Sequence, residues 1–470
     1  MLKARPQVDT TLESSLNGRR RCKGNDALIS QANGQRRFTD TQRGGVFSIG
    51  TTAPGNLLTR AFRLWFFNLK RMFSAKGGKI MKFTKLLSCA VAAAMCMALV
   101  SGCGGEKKQE VVKIGLLAPL TGGNSALGIG MKNSGQLAVD QANKSGKYPY
   151  KFELVVADDA GDPSTAVAAM NKLIADKSIS AITGHFNSGC ALATAPIAHK
   201  AGVPFVVTGA IHPGITAKGY KEITRVITSA DIQNKYAGEL ATTKWGVKTI
   251  ALINDRTDYG KTNAEQFGKA AEANGAKVIS VDGITVGQQD FAALLTKIKA
   301  TNPDCIYFGG VATEAGLLKR QMSDLQINSL FLSDSGIISD TFNKIAGPAA
   351  SGMIAFNIGK PLEDLAGGKK FLEDYSKANF KEPAENIGPF TYDSVGLIIK
   401  TIGENKETKR SKLIQLIHDV VYEGVLGTTS FDTNGNTKND LITTYISENG
   451  KWIPYDKASV IVSNKKIIKK

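Results

Sequence analysis

Residues 184–191, Gly-His-Phe-Asn-Ser-Gly-Cys-Ala, put small polar side chains between an apolar β-branched run and an amphipathic one, where a strand hands over to a helix. Free backbone amides and the positive end of the helix dipole favour an anion at such a junction. Ser188 is therefore the best carboxylate donor in the chain, and capping the helix is a second role open to the same hydroxyl. Thr208-Gly209-Ala210 follows the next apolar run and either brings main-chain groups to the same cleft or simply turns the chain.

The catalytic and cofactor patterns each fail on a specific residue. Asp255-Arg-Thr-Asp-Tyr-Gly260-Lys261-Thr262 ends like a phosphate loop, but Asp255 stands where that loop needs glycine. Gly128-Ile-Gly130-Met-Lys-Asn133 lacks the third glycine of a dinucleotide fingerprint. Asp432-Thr-Asn434-Gly435-Asn436 starts like a calcium loop, yet Thr443 occupies the place of its bidentate glutamate, which leaves a hairpin turn at Asn434-Gly435. His185, His199, His212 and His418 show no zinc spacing with one another or with cysteine, and no Gly-x-Ser-x-Gly elbow is present. The chemistry left is recognition, with no enzyme activity, no cofactor and no metal expected.

The elements that must position these residues fall into two series. Short apolar strands at 112–119, 152–157, 179–183 and 203–208 alternate with helices at 131–143 and 164–176. A second series has strands at 249–254, 277–281, 305–308 and 329–332, with helices at 263–273 and 291–300 carrying apolar residues at i, i+3, i+4. Two doubly wound parallel-sheet α/β lobes follow. The break after 225–231 places a hinge near Ser229. A further change at 352–361 precedes helices at 369–379, 392–403 and 411–420, which lack strands of their own and are expected to pack back on the first lobe. The chain thus crosses between lobes more than once.

A chain of 470 residues, 42% hydrophobic and 21% charged, excludes wholesale disorder and a polytopic membrane protein. Its net charge of +18 is concentrated at the front: residues 1–80 hold 15 Lys/Arg and 4 Asp/Glu, and residues from 103 on hold 42 basic against 37 acidic side chains. The body has no excess to track phosphates, so no nucleic-acid partner is expected. Met81 opens a secretory signal with Lys82 and Lys85 and a 15-residue apolar stretch, Leu86–Val100, too short to span a bilayer. It ends in Leu99-Val100-Ser101-Gly102-Cys103, which resembles a bacterial lipobox, so Cys103 is the expected lipidation site. Residues 1–80 read as an upstream mis-start, a disordered basic leader. Cys190 and Cys305, more than 100 residues apart, read as buried free thiols.

From 111 to 460 the chain resembles the Leu/Ile/Val-binding periplasmic proteins of type I fold. The resemblance rests on Asp158-Asp159-Ala-Gly-Asp162-Pro163, Gly184-His185, Thr216-Ala-Lys-Gly219-Tyr220, Arg225 with Asp231 and Gln233, Asp258-Tyr259-Gly260, Gly283-Ile-Thr-Val-Gly287 with Asp290-Phe291, and Asp304 to Gly310. It implies that Ser188 and Ala210 hold a ligand α-carboxylate, that Asp334 of the other lobe holds its ammonium, with Ser335 the alternative register, and that Tyr259 flanks the ligand side chain. Asp231 joins the ligand-binding set. Leu127 and Val311 stand where the family often has tyrosine, and Ile211-His212 replace a threonine-containing segment, so the wall suits an aliphatic side chain.

The implied organisation is a leader at 1–80, a signal at 81–102, a tether at 103–110, one lobe from 111–229 and 357–437, a second from 230–356 and 438–460, and a basic tail at 461–470. The implied function is capture of branched-chain or similar amino acids by lobe closure, on the outer face of the cytoplasmic membrane, for delivery to an ABC permease. A sensor of amino acids or amides on the same fold is the alternative.

Overall fold

The computed structural model describes residues 109–470. The leader, the signal and the Cys103 lipidation site lie outside the described residues, as does the tether up to residue 108. Glu110, expected in the tether, already opens the first strand.

In the first lobe β1 (Glu110–Ala118), β2 (Tyr150–Asp158), β3 (Ile179–Gly184), β4 (Phe205–Val207) and β5 (Ile223–Arg225) form one sheet in the order β2-β1-β3-β4-β5, every neighbour parallel. Helices α1 (Ser125–Ser145), α2 (Pro163–Ala175) and α3 (Ser188–Ala201) make the crossovers. The two-residue period of a strand divides β1 between two apolar layers: Ile114 and Leu116 enter one, Leu117 the other. Local signals set the helix limits. Asp162 accepts from Thr165 N at 2.8 Å, Pro163 fills the first turn of α2, and Gly202 ends α3 in the left-handed conformation.

The second lobe starts with α4 (Ala230–Glu239), which runs into a wider turn, Leu240–Lys244. It continues through β6 (Thr249–Asn254), α5 (Asp258–Ala273), β7 (Lys277–Gly283), α6 (Ala292–Thr301), β8 (Cys305–Gly309), α7 (Ala312–Asp324), β9 (Leu330–Ser333), α8 (Asp340–Ala346) and β10 (Ile354–Ile358). The chain then returns to the first lobe as α9 (Ala366–Ala378), α10 (Gly388–Asn405), α11 (Arg410–His418) and a hairpin of β11 (Tyr422–Gly424) and β12 (Gly427–Thr429). It crosses a last time into β13 (Ile442–Glu448) and β14 (Lys451–Pro454), which extend the second sheet antiparallel to the order β14-β13-β10-β9-β8-β6-β7.

This is the doubly wound, two-lobed architecture expected from the sequence. The expected boundary at 356/357 falls inside β10, because pairing with β13 continues to Ile358. Residues 461–470, expected as a basic tail, are instead mostly hairpin, β15 (Val460–Ser463) against β16 (Lys466–Lys469), with Ile467 packed on the second lobe's core. The turn at Asn434-Gly435 also differs from expectation. Rather than joining a regular hairpin, residues 432–437 lie beside β5, with Arg225 N donating to Gly435 O and Thr437 N to Arg225 O. Cys190 on α3 and Cys305 on β8 are free and buried.

Arg225, 1% exposed, sits where the first and last crossings meet. Its Nη1 donates to His212 O at 2.9 Å and its Nη2 to Asn436 Oδ1 at 2.5 Å. Burial pulls the guanidinium down to about 10, so it stays charged at neutral pH.

The returning helix α10 packs along α1, and glycines bring the two close. A Cβ on Gly130 would lie 2.7 Å from Ala384 O, and one on Gly388 would lie 2.5 Å from Ser134 Oγ. Gly128 and Gly130 therefore both serve backbone packing, Gly128 against Pro119 and Gly130 against the loop that precedes α10.

Within α10, Asp393 is 1% exposed and accepts from Val425 N at 2.8 Å and Leu426 N at 3.0 Å, tying the β11–β12 turn to the helix. Burial pushes its carboxyl up to about 7. The folded protein thus keeps this proton where the unfolded chain, titrating near 4, has lost it, so its contribution to stability is greatest below pH 4 and is lost as pH rises toward 7. Urea unfolding of wild type and Asp393→Asn across pH 4–8 is expected to show a shallower fall for the variant, by on the order of 1–3 kcal/mol over that window.

Candidate functional site

Open α/β sheets bind ligands beyond the carboxyl ends of their strands, and the described residues form a cleft of that kind between the lobes. The first lobe supplies Phe186 after β3, Gly209 after β4, and Asn386, Ile387 and Phe390 at the start of α10. The second supplies Tyr259 from α5, with Ser335 and Gly336 after β9. Ile227 comes from the first connection, and Asn357 and Ile358 from the end of β10. The enclosed space is about 20 Å³. None of these lining side chains carries a formal charge.

On the first-lobe side the Ser188 side chain is fully buried at the first turn of α3, and its Oγ has no hydrogen-bond partner. Asn187 at the helix cap makes no side-chain cap bond, and its Oδ1 is likewise buried and unpaired. Polar atoms left this way carry a desolvation cost of about 1–3 kcal/mol unless a ligand meets them. The helix start is held from behind by His185, whose Nδ1 lies 2.6 Å from Asp159 Oδ2 and whose Nε2 lies 3.0 Å from Thr194 Oγ1. Asp159, His185 and Cys190 offer ligand atoms within 4.8 Å of one another, a grouping that chain spacing did not reveal. Both ring nitrogens are already engaged, and burial pushes the Cys190 thiol up, so the cluster is accounted for as an internal brace.

On the second-lobe side the segment that ended like a phosphate loop builds a helix start. Asp255 Oδ1 accepts from Thr257 N and Oγ1 at 2.9 and 2.6 Å, and Thr257 Oγ1 accepts from Gly260 N at 3.0 Å. This capped turn presents Tyr259, half-buried, whose hydroxyl donates to Asp334 Oδ1 at 2.6 Å. Asp334 is fully buried. Its Oδ1 also accepts from Gly336 N at 2.8 Å, while Oδ2 has no partner. Burial pushes its carboxyl up to about 7, against the hydrogen bonds from Tyr259 and Gly336, which favour the charged form.

The sequence-derived residues divide. Tyr259 and Ser335 are in the wall, whereas Ser188, Ala210 and Asp334 are buried outside it, Ala210 next to Gly209 in the chain and Asp334 next to Ser335 and bonded to Tyr259. Ile211 is 1% exposed inside the first lobe's core. His212 caps the short turn Pro213–Ile215, its Nδ1 accepting from Gly214 N at 2.9 Å. Asp231 is exposed on α4, accepts from Ser229 Oγ and borders a separate surface groove. Leu127 packs on the first lobe's core, and Val311 is the cap residue of α7. Phe186, Asn386, Ile387 and Phe390 were not singled out from the sequence. The last three lie nearly 200 residues from Ser188, on the returning segment, and carried no motif of their own.

Tyr259→Phe removes one of two donors to a buried carboxylate, so Asp334 should hold its proton to higher pH. Thermal unfolding is expected to show the variant less stable than wild type by about 1–3 kcal/mol at pH 8 and nearly equal to it at pH 5.

Residues 111–451 match a family described as periplasmic binding protein. The chain is 31% identical over 350 residues to a leucine-, isoleucine-, valine-, threonine- and alanine-binding protein of Pseudomonas aeruginosa, covering 74% of this chain and 93% of that one. It is 29% identical over 354 residues to a Leu/Ile/Val-binding protein homolog of Brucella abortus, covering 75% and 93%. Among solved structures, a leucine-binding protein of Thermotoga maritima is similar with a TM-score of 0.68 at 27% identity, covering 73% of this chain and 97% of that one. A branched-chain amino-acid transporter substrate-binding protein of Streptococcus pneumoniae, in complex with isoleucine, is similar with a TM-score of 0.67 at 25% identity, covering 77% and 100%.

Proposed function

The chain belongs to the periplasmic binding protein family, and from that membership we propose that it captures branched-chain or similar aliphatic amino acids outside the cytoplasmic membrane and delivers them to an ABC importer. The observation that carries the reading is a pair of buried, unpaired oxygens on opposite lobes, Ser188 Oγ and Asp334 Oδ2, together with a cleft lined by Phe186, Ile227, Ile358, Ile387 and Phe390. A hydroxyl beside a helix N-terminus suits a carboxylate, and an acid behind Tyr259 suits an ammonium. The wall suits an aliphatic chain, whose burial contributes about 1.5–3 kcal/mol. The relatives named as leucine-, isoleucine- and valine-binding support the same ligand class.

Binding by closure follows from the shape. A cavity of about 20 Å³ admits little more than one water, so an amino acid enters by parting the lobes and is gripped as they close on it. Isothermal titration with leucine, isoleucine and valine is expected to give saturable binding, weakened about tenfold by Ser188→Ala. No binding of any aliphatic amino acid would overturn the reading.

The anchoring proposal rests on Leu99-Val100-Ser101-Gly102-Cys103 at the end of the apolar stretch. Acylated Cys103 holds the mature protein at the membrane surface, with more than one chain needed for stable attachment. Expressed in a bacterial host, the protein is expected in the membrane fraction and Cys103→Ala in the soluble one; equal partitioning would refute the anchor.

A further inference from the structure

We propose that Asn386 is a ligand-contacting residue of this cleft, one that latches the lobes together through its Nδ2 and receives the ligand's ammonium on its Oδ1; the proposal rests on the amino-acid reading given above. Asn386 lies in the loop between α9 and α10, and its Nδ2 donates to Ser335 O of the second lobe at 3.0 Å. This is a side-chain hydrogen bond between the lobes made by two residues that line the cleft. Because Ser335 O can only accept, the amide has one orientation: nitrogen toward the second lobe, oxygen away from it.

That oxygen is buried and has no hydrogen-bond partner. It belongs to a wall without formal charge, so a ligand cation meets a neutral acceptor at the surface, with the Asp334 carboxyl one layer deeper behind the Tyr259 hydroxyl. The loop is poised for this before any ligand arrives. Its backbone lies against Gly130 of α1, at a distance that leaves no room for a side chain there. Preorganisation of this kind lowers the ordering cost of binding, and a bond made only when the lobes meet acts mainly on how long they stay shut.

The test compares leucine with its 2-oxo acid, which has the same side chain and carboxylate but no ammonium. For Asn386→Ala, stopped-flow dissociation of leucine is expected to be about tenfold or more faster than wild type, as for one lost hydrogen bond to a charged group. The 2-oxo acid, which feels only the lost latch, is expected to lose less, and the ligand-free melting temperature is expected to stay within about 1 °C of wild type, since an interlobe bond of this kind adds little to either core. Asn386→Ser, too short to reach Ser335 O, serves if the alanine variant does not fold. An unchanged leucine dissociation rate, or equal losses for both ligands, overturns the proposal. Wild-type protein that binds no leucine overturns the amino-acid reading beneath it instead.

Discussion

Much of this architecture depends on one buried positive charge whose two terminal nitrogens, Nη1 and Nη2 of Arg225, are met by neutral oxygens while its Nε stays unpaired. Arg225 reaches His212 O and Asn436 Oδ1, while its own backbone pairs with Gly435 and Thr437. A guanidinium taken out of water without a bonded carboxylate is costly unless its donors are met, so the segments that meet them are fixed relative to one another. Those segments are the turn after β4, the end of β5 and the approach to the last crossing. The connections between the lobes therefore start from a segment tied down by hydrogen bonds.

The cleft is assembled from distant parts of the chain. The start of α3 brings Ser188, the start of α5 brings Tyr259, and the turn after β9 brings Asp334 and Ser335. The α1–α10 contact then lays a loop from late in the sequence against elements formed early in it. Both walls are built at helix starts or strand ends, where backbone donors are free, and both are accompanied by hydrogen-bonded polar pairs such as His185 with Asp159 and Asp255 with Thr257.

Legibility followed the range of the interaction. Strands with β-branched runs, such as Thr249–Asn254, and helices with clear apolar spacing could be read because their signal lies within a dozen residues. β10 to β16 were missed: Ile442–Glu448 and Lys451–Pro454, for example, mix polar and apolar residues, as antiparallel strands facing partly to solvent do. In the site, Ser188 and Tyr259 stood out because each opens a helix after a strand. Asn386 and Phe390 did not, since their value comes only from packing on α1, more than 200 residues earlier. Asp231 and His212 lie outside the cleft lining. Both are polar residues near a crossing, and each is used locally, by Ser229 and by a short turn.

The two internal thiols carry a last consequence. Cys190 is sealed in one lobe and Cys305 in the other, and among the described residues neither has a disulfide partner. Maturation of these lobes outside the cytoplasm therefore asks nothing of thiol-oxidising catalysts, and reductants in the surroundings have no bridge between them to break. A covalent staple across the halves would also have tethered them, and these two cysteines supply none.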